Sequence, residues 1–281
     1  MFPSPFSYVQ PSSLRQTVSL LAEYEDSAKL LAGGQSLLPL MKLRLAAPET
    51  VIDIGGLDEL RDLRVDGGDL VVGALTRFCD LERSQLVLRE CPVLGRVAAV
   101  VGDPQVRHRG TLGGTLAHAD PASDLPALLL ALDASVVIAG ERGSRRVAAQ
   151  DLFEGFMTTA LQDDEILTEV RIPVGRKSWS YQKFTRRAQE WAIVAVAAVR
   201  THHDGQVRVA VANAGSTPLR APTVERHLAQ GATFAAAAAR VVDDIHPFAD
   251  AIATVEHRRE IAVTLVERAL TEMDAKEARD E

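Results

Sequence analysis

Apolar residues in the first 55 positions follow the pattern of a small β-α-β unit. Three short apolar runs predict strands, at residues 6–9, 29–31 and 51–54. Between the first two runs, apolar residues repeat at the i, i+4, i+7 spacing of a helix that opens after Ser13, namely Leu14, Val18 and Leu21. The chain therefore begins with alternating strands and a helix.

From residue 57 onward the pattern changes to strand pairs joined by polar turns. Predicted hairpins lie at residues 63–72, 134–148 and 192–213. A further strand at residues 166–172 alternates, which predicts one shared face for Ile166, Thr168, Val170 and Ile172. After Pro222 the chain is Ala-rich and helical, and its last helix carries one apolar stripe of Ala262, Leu265, Val266 and Ala269.

The length of the chain and one Pro- and Gly-containing segment predict two domains. At roughly 150 residues per domain, 281 residues correspond to about two. Pro173-Val174-Gly175 marks the expected boundary between them. We therefore expect a domain at residues 1–175, with lobes at about 1–56 and 57–175, and a second at residues 176–281.

Composition excludes several classes of function. The formal net charge is −7, which gives no general attraction for nucleic acid. Two cysteines, Cys79 and Cys91, are too few to ligate an iron–sulfur cluster by themselves, and they indicate a reducing, cytoplasmic setting. The start of the chain has no signal-peptide pattern, and the longest apolar run, residues 192–199, is far below the ~20 residues of a membrane span.

Two glycine-rich segments carry the candidate chemistry, because the chain has no G-x-G-x-x-G, Walker, H-E-x-x-H or G-x-S-x-G motif. They are LAGGQSLL at residues 31–38 and GTLGGT at residues 110–115. Glycine allows positive φ and close ligand approach, and consecutive amides can bind an anion. Either segment alone is more typical of a tight turn. Two such segments, each followed by an apolar run, favour a cofactor with a pyrophosphate.

The residues alone leave the roles of two neighbouring features undecided. Asp120 and Asp124 either complement a helix N-terminus or accept a ribose or ribityl hydroxyl. The segment KFTRRAQEW at residues 183–191 is either a solvated basic turn or a cation and an indole beside an aromatic cofactor. Taken alone, it favours the solvated turn.

Four segments together resemble a known family. They are LAGGQSLLP at residues 31–39, RGTLGGTLAHADPASDLP at 109–126, EILTEVRIP at 165–173 and YQKFTRRAQEWA at 181–192. In this order and spacing they are similar to the FAD-binding medium subunit of molybdenum hydroxylases, the family of carbon monoxide, xanthine and nicotine dehydrogenases. The resemblance extends over nearly the whole chain.

The resemblance implies an α+β protein: a two-lobed FAD-binding domain of the vanillyl-alcohol-oxidase (PCMH) type, followed by a smaller α+β domain. FAD would lie between the lobes, with its pyrophosphate on residues 32–36 and 111–115. Thr115 stands where the family commonly has Asn. The cofactor-binding residues implied are Leu31, Ala32, Gly33, Gly34, Gln35, Ser36, Leu37, Leu38, Thr111, Gly113, Gly114, Thr115, Asp120, Asp124, Leu167, Lys183 and Trp191.

For the last four of these residues the resemblance implies roles near the flavin. Asp124 would make a polar contact beside the ring or the ribityl chain, and Leu167 would touch the ring. Lys183 would lie near the flavin, and Trp191 would place an aromatic group over it. No residue of this chain would be catalytic or bind a metal.

The implied function is an electron relay. A large partner subunit with molybdopterin would oxidise the substrate, and a small partner subunit with [2Fe–2S] clusters would pass electrons to FAD and on to an external acceptor. The expected assembly is a dimer of heterotrimers in the cytoplasm, without nucleic acid or a membrane span. Two alternatives stay open at this point: a self-sufficient FAD oxidase, and a non-enzymatic accessory subunit.

Overall fold

A small parallel sheet and one amphipathic helix form the first lobe. The computed structural model describes residues 2–175, 177–201 and 203–280. The lobe comprises β1 (Ser7–Val9), α1 (Leu14–Tyr24), β2 (Ala28–Leu31), α2 (Leu37–Lys42) and β3 (Thr50–Asp53). The strand order is β1-β3-β2, and both pairs are parallel. α1 begins where the Ser13 hydroxyl accepts a hydrogen bond from the Gln16 amide, so the predicted β-α-β unit is confirmed.

The second lobe contains a five-stranded antiparallel sheet, a separate two-stranded sheet and several short helices. Its strands are β4 (Leu63–Asp66), β5 (Asp69–Gly73), β6 (Ser135–Gly140), β7 (Gly143–Ala148), β8 (Phe153–Gly155), β9 (Thr158–Thr159) and β10 (Ile166–Pro173). Its helices are α3 (Phe78–Arg83), α4 (Gln85–Glu90), α5 (Pro92–Ala98), α6 (Pro104–Arg107), α7 (Leu112–His118) and α8 (Asp124–Ala131). The sheet order is β4-β5-β10-β6-β7, while β8 and β9 pair separately. Both predicted hairpins of this region are confirmed.

The central strand β10 departs from the predicted alternation. Its register with β6 shifts between Leu167 and Glu169, which marks a β-bulge. Leu167 consequently packs in the same core as Val170 and Ile172, whereas Ile166 packs in the core of the first lobe. The prediction of one shared face from Ile166 to Ile172 is therefore wrong, because the bulge reverses the side-chain order along the strand.

The C-terminal part is a four-stranded antiparallel sheet backed by helices. It contains β11 (Lys177–Phe184), β12 (Val194–Thr201), β13 (Val207–Ala212), β14 (Leu219–Arg220), α9 (Pro222–Ala229), α10 (Phe234–Ala238) and α11 (Val255–Asp280), in the strand order β11-β12-β13-β14. One face of the sheet buries Val196, Val209 and Val211 against the helices. The predicted stripe of α11 lies in this core and is confirmed.

The opposite face of the C-terminal sheet packs on α8. Ala195, Ala197 and Ala210 belong to the same buried cluster as Leu128. Every residue of α8 is buried, because the second lobe covers one side and β12 and β13 cover the other. The second lobe and the C-terminal sheet therefore share one continuous core. The expected boundary falls beside Arg176, which lies outside the described residues.

Both cysteines, Cys79 and Cys91, are buried free thiols. Within the described residues, no helix combines the length and the apolar character needed to cross a membrane.

Candidate flavin site

A cavity of about 700 Å³ lies where the first lobe, the second lobe and the start of the C-terminal sheet meet. The first glycine-rich segment lines one side of it, and α7 with the start of α8 lines another. Lys183 on β11 and Trp191 in the loop before β12 complete the wall. The volume is in the range of roughly 300–1,000 Å³ that is typical of ligand and cofactor sites.

The first glycine-rich segment presents free backbone amides. Gly34 adopts φ +73°, the left-handed region that glycine tolerates best. Within the described part of the chain, no acceptor is paired with the amides of the four consecutive residues Gly33, Gly34, Gln35 and Ser36. All four residues line the cavity, so their unpaired N–H groups are donors available to an anion.

The second glycine-rich segment is not a turn, as its composition predicts, but the start of α7. Thr111 caps this helix, and its hydroxyl accepts a hydrogen bond from the Gly114 amide at 3.2 Å. The amides of Gly113 and Thr115 donate to the carbonyls of Ala74 and Thr111. This segment therefore gives the cavity hydroxyl groups and an open helix surface, whereas the free amides come from the first segment.

One glycine in each segment is required for close packing. A Cβ built on Gly113 would lie 2.5 Å from the Cβ of Ala74. A Cβ on Gly33 would lie 2.8 Å from the carbonyl carbon of Arg109 and 2.9 Å from the Cα of Gly110. The two glycine-rich segments thus touch backbone to backbone at the floor of the cavity.

A buried polar network closes the side of the cavity formed by the two domains. Asp124 accepts hydrogen bonds from the Tyr181 hydroxyl at 2.5 Å and from Lys183 Nζ at 2.8 Å. Lys183 also donates to the carbonyl of Val100 at 3.1 Å. Burial raises the pKa of Asp124, which the Lys183 ammonium opposes, and burial beside Asp124 raises the pKa of Tyr181 well above 10. The ion pair joins α8 to β11.

The cavity brings together most of the predicted site residues. Those that line it are Ala32, Gly33, Gly34, Gln35, Ser36, Leu37, Thr111, Gly113, Gly114, Thr115, Asp124, Leu167, Lys183 and Trp191. Three predicted residues do not. The side chains of Leu31 and Leu38 lie beside the position that a Cβ of Gly34 would occupy. Asp120 Oδ1 accepts a hydrogen bond from the Ala122 amide, which caps the turn before α8.

Several residues that line the cavity were not among the predicted site residues, although His118, Glu165 and Gln189 lie inside the segments that carry the resemblance. They include Phe78, Val106, His118, Gln162, Glu165 and Gln189. They come from separate helices and loops, so neither spacing nor periodicity relates them. Glu165 was quoted only as part of the strand motif, and in the structure Arg145 holds it through two hydrogen bonds.

The donor set fits a flavin dinucleotide. Four free amides suit a diphosphate, and Lys183 and Asp124 supply a cation and an acceptor in the same cavity. Leu167 and Trp191 supply apolar and aromatic surface for a ring. Fold and site together define a two-lobed flavin-binding protein.

Comparison with known proteins identifies the family. Residues 4–175 match the profile of the FAD binding domain in molybdopterin dehydrogenase, and residues 179–273 match the CO dehydrogenase flavoprotein C-terminal domain. The carbon monoxide dehydrogenase medium chain of Hydrogenophaga pseudoflava is 42% identical over 225 residues, 78% of each chain. The glyceraldehyde dehydrogenase medium chain of Sulfolobus acidocaldarius is 34% identical over 97% of this chain and 100% of the relative.

A solved structure supports the same family. Carbon monoxide dehydrogenase from Hydrogenophaga pseudoflava lacking the Mo-pyranopterin moiety matches with a TM-score of 0.93 and 38% identity, over 98% of this chain and 99% of the other. The chain belongs to the FAD-binding medium subunits of molybdenum hydroxylases. It is an oxidoreductase subunit, and the resemblance seen in the sequence is confirmed.

Proposed function

We propose that this chain is the electron-relay subunit of a heteromeric molybdenum hydroxylase. It takes electrons from [2Fe–2S] clusters on a small partner subunit and passes them to an external acceptor. A large partner subunit with molybdopterin oxidises the substrate. The relatives named as medium chains of carbon monoxide and glyceraldehyde dehydrogenases support this role.

The observation that carries the proposal is the run of four free amides in the cavity wall. In our assignment, the amides of residues 33–36 bind the pyrophosphate of FAD, and the hydroxyls of Thr111 and Thr115 bind from the opposite side. Lys183 and Asp124 lie on the flavin side. Leu167 packs on the ring, and Trp191 covers it.

When bound, FAD supplies a ring that accepts and releases electrons. The residues of the chain hold and shield that ring. Lys183, fixed by Asp124 and by the Val100 carbonyl, places a cation in the wall, which favours the electron-rich form. Leu167 and Trp191 would shield a ring bound in the cavity from water.

The proposed assembly is a dimer of heterotrimers in the cytoplasm. Within this chain we assign residues 1–175 to the FAD-binding domain, with lobes at about 1–56 and 57–175, and residues 176–281 to the C-terminal domain. The continuous core across α8 implies that the two domains act as one unit.

Acid precipitation of the purified chain tests cofactor binding. We expect yellow FAD in the supernatant, because binding by amides and hydroxyls is non-covalent. Colour that remains in the pellet would contradict this assignment. A chain that takes up no FAD from solution would instead support a non-enzymatic accessory role.

Anaerobic absorbance spectroscopy tests the relay. Dithionite should bleach the flavin of the isolated chain, whereas aldehydes, heteroaromatic compounds and carbon monoxide should not. A substrate from this panel should bleach the flavin once the large and small partner subunits are added. Bleaching of the isolated chain by a substrate would mark a self-sufficient oxidase, and failure in the complete complex would refute the relay.

A further inference from the structure

Asn213 lies at a junction of three segments that no motif connects. It follows β13 directly and adopts φ +58°, a left-handed conformation in which Asn is among the better tolerated residues after Gly. Its side chain is half-buried. This conformation lets its amide, its carbonyl and its side chain point to three different neighbours.

Two of these neighbours lie close in sequence to residues that line the cavity. The Asn213 amide donates to the carbonyl of Pro121 at 2.7 Å, three residues before Asp124. Its side-chain Nδ2 donates to the carbonyl of Ala192 at 2.7 Å, one residue after Trp191. A single residue of the C-terminal domain thus bridges the start of α8 and the loop that carries Trp191.

The third neighbour anchors the bridge to the C-terminal core. Arg258 on α11 is 1% exposed, and its Nη1 donates to the carbonyls of Ile193 at 2.5 Å and of Asn213 at 3.3 Å. Its Nη2 pairs with Asp250 at 2.5 Å. Residues 192 and 193 are therefore each held by a side chain from a different element.

Trp191 has no comparable restraint of its own. Its side chain is 59% exposed at the mouth of the cavity. No hydrogen bond within the described residues involves its indole. On one side of Trp191, the Glu190 amide donates to the Arg187 carbonyl within the same loop, at 3.3 Å. On the other side, the Ala192 carbonyl accepts from Asn213, so Ala192 ties the indole to a segment outside the loop.

We propose that Asn213 is a positioning residue of the flavin site: it fixes Trp191 relative to the start of α8 through the Ala192 and Pro121 carbonyls. The inference rests on the proposed function, because Trp191 covers a flavin ring only if FAD occupies the cavity as assigned. It adds a residue outside both glycine motifs and couples the C-terminal domain to the geometry around the ring.

The chemistry of Asn213 gives selective variants. Asn213→Gly keeps the left-handed backbone and the amide that reaches Pro121, but it removes the donor to Ala192. Asn213→Asp also removes that donor and places a carboxylate oxygen opposite a carbonyl oxygen, which is repulsive. Both variants should release Trp191 without touching the amides of residues 33–36.

Flavin fluorescence of the full chain loaded with FAD provides the readout. A stacked indole quenches flavin emission, so Trp191→Phe should brighten it and defines the full effect. We expect Asn213→Gly to raise the emission at least twofold and to reach at least half the effect of Trp191→Phe. Asn213→Asp should raise the emission to the same extent, and it replaces Asn213→Gly in the test if the glycine variant does not fold.

A matched control separates positioning from general stability. Thr223→Val removes the hydrogen bond from the Thr223 hydroxyl to Asp244 Oδ1 in the same domain, away from the cavity, and should lower the Tm without brightening the flavin. Brightening by Trp191→Phe but not by either Asn213 variant would overturn the inference. No brightening by Trp191→Phe would refute the Trp191 assignment and the inference with it, and absence of bound FAD would refute the proposed function itself.

Discussion

Glycines of the two motifs serve different purposes at the scale of single residues. Gly34 is needed for its backbone conformation, since it adopts φ +73° in the loop with the free amides. Gly33 and Gly113 are needed because neighbouring backbone or Cβ atoms leave no room for a side chain. Substitution should therefore damage the ligand site at the first position and the packing at the other two.

Gly34→Val should abolish FAD binding while the chain stays folded. The left-handed conformation costs a branched residue roughly 1–2 kcal/mol, so the loop is expected to rearrange and the amide array to be lost. FAD titration followed by fluorescence measures the effect. Gly68→Val is the control, because it adopts φ +85° in an open hairpin turn and should cost similar stability yet retain FAD. Full FAD occupancy in Gly34→Val would refute the amide assignment.

Lys183→Met should destabilise the chain by about 3 kcal/mol, because it leaves the buried Asp124 carboxylate without its cation. Adding Asp124→Asn should recover much of that loss. Urea unfolding of the FAD-free chain measures both variants. Arg240→Met removes an exposed ion pair with Asp243 and should cost less than about 1 kcal/mol. Equal losses in the buried and the exposed variants would contradict the buried network.

Cys91 gives the stability a defined alkaline dependence. Burial raises the pKa of this thiol from 9.0 to about 11 in the folded chain. Between these values the unfolded chain loses the proton and the folded chain keeps it, so stability falls as pH rises, by up to ~1.4 kcal/mol per pH unit. Urea unfolding from pH 8 to 11 should show this fall in the native chain and less of it in Cys91→Val.

Lys177 makes the comparison with Cys91→Val necessary. Burial lowers the pKa of Lys177, so its own contribution rises with pH in a similar range. Because Lys177 is present in both proteins, the difference between them reports the thiol together with its charge interaction with Lys177. Parallel pH profiles for the two proteins would show that Cys91 has no shifted pKa.

At the scale of elements, the sequence predicted those features that depend on local spacing. The β-α-β unit, the hairpins and the α11 stripe follow from apolar periodicity and turn residues, and the structure contains them. The bulge at Leu167 and Glu169 was not predictable, because it depends on pairing with Ile138 and Val137 of β6, which are distant in the sequence. The helical start at Leu112 was missed because two glycines have low helix propensity, which the Thr111 cap and packing on Ala74 outweigh.

The same distinction between local and long-range features applies to the candidate site. Residues inside the two glycine motifs were identified because their chemistry is local. Gln162, His118 and Asn213 were not identified, since their positions depend on how distant segments meet. Asp120 and Leu38 were included because they share a motif with residues that line the cavity, although their own side chains serve a turn and the packing beside Gly34.

At the scale of the whole molecule, α8 makes the two domains interdependent. Residues 1–175 expressed alone should be insoluble or fail to bind FAD, because the face of α8 covered by Ala195, Ala197 and Ala210 would be exposed to water. Solubility and FAD uptake measure this. Co-expression of residues 176–281 as a separate chain should restore both. A soluble, FAD-binding fragment of residues 1–175 would show that the shared core is dispensable.

The contact of Gly33 with Arg109 and Gly110 bears on how long the cofactor stays bound. These backbones touch at the floor of the cavity, so the two walls cannot slide past one another without separating there. If the dinucleotide leaves between the lobes, they would have to hinge apart, a motion typically on the microsecond-to-millisecond scale or slower. On that route, the lifetime of the bound flavin would depend on lobe opening as well as on the strength of the phosphate contacts proposed above. Substitution of Gly33 by Ala is expected to shorten that lifetime even where the equilibrium amide geometry survives.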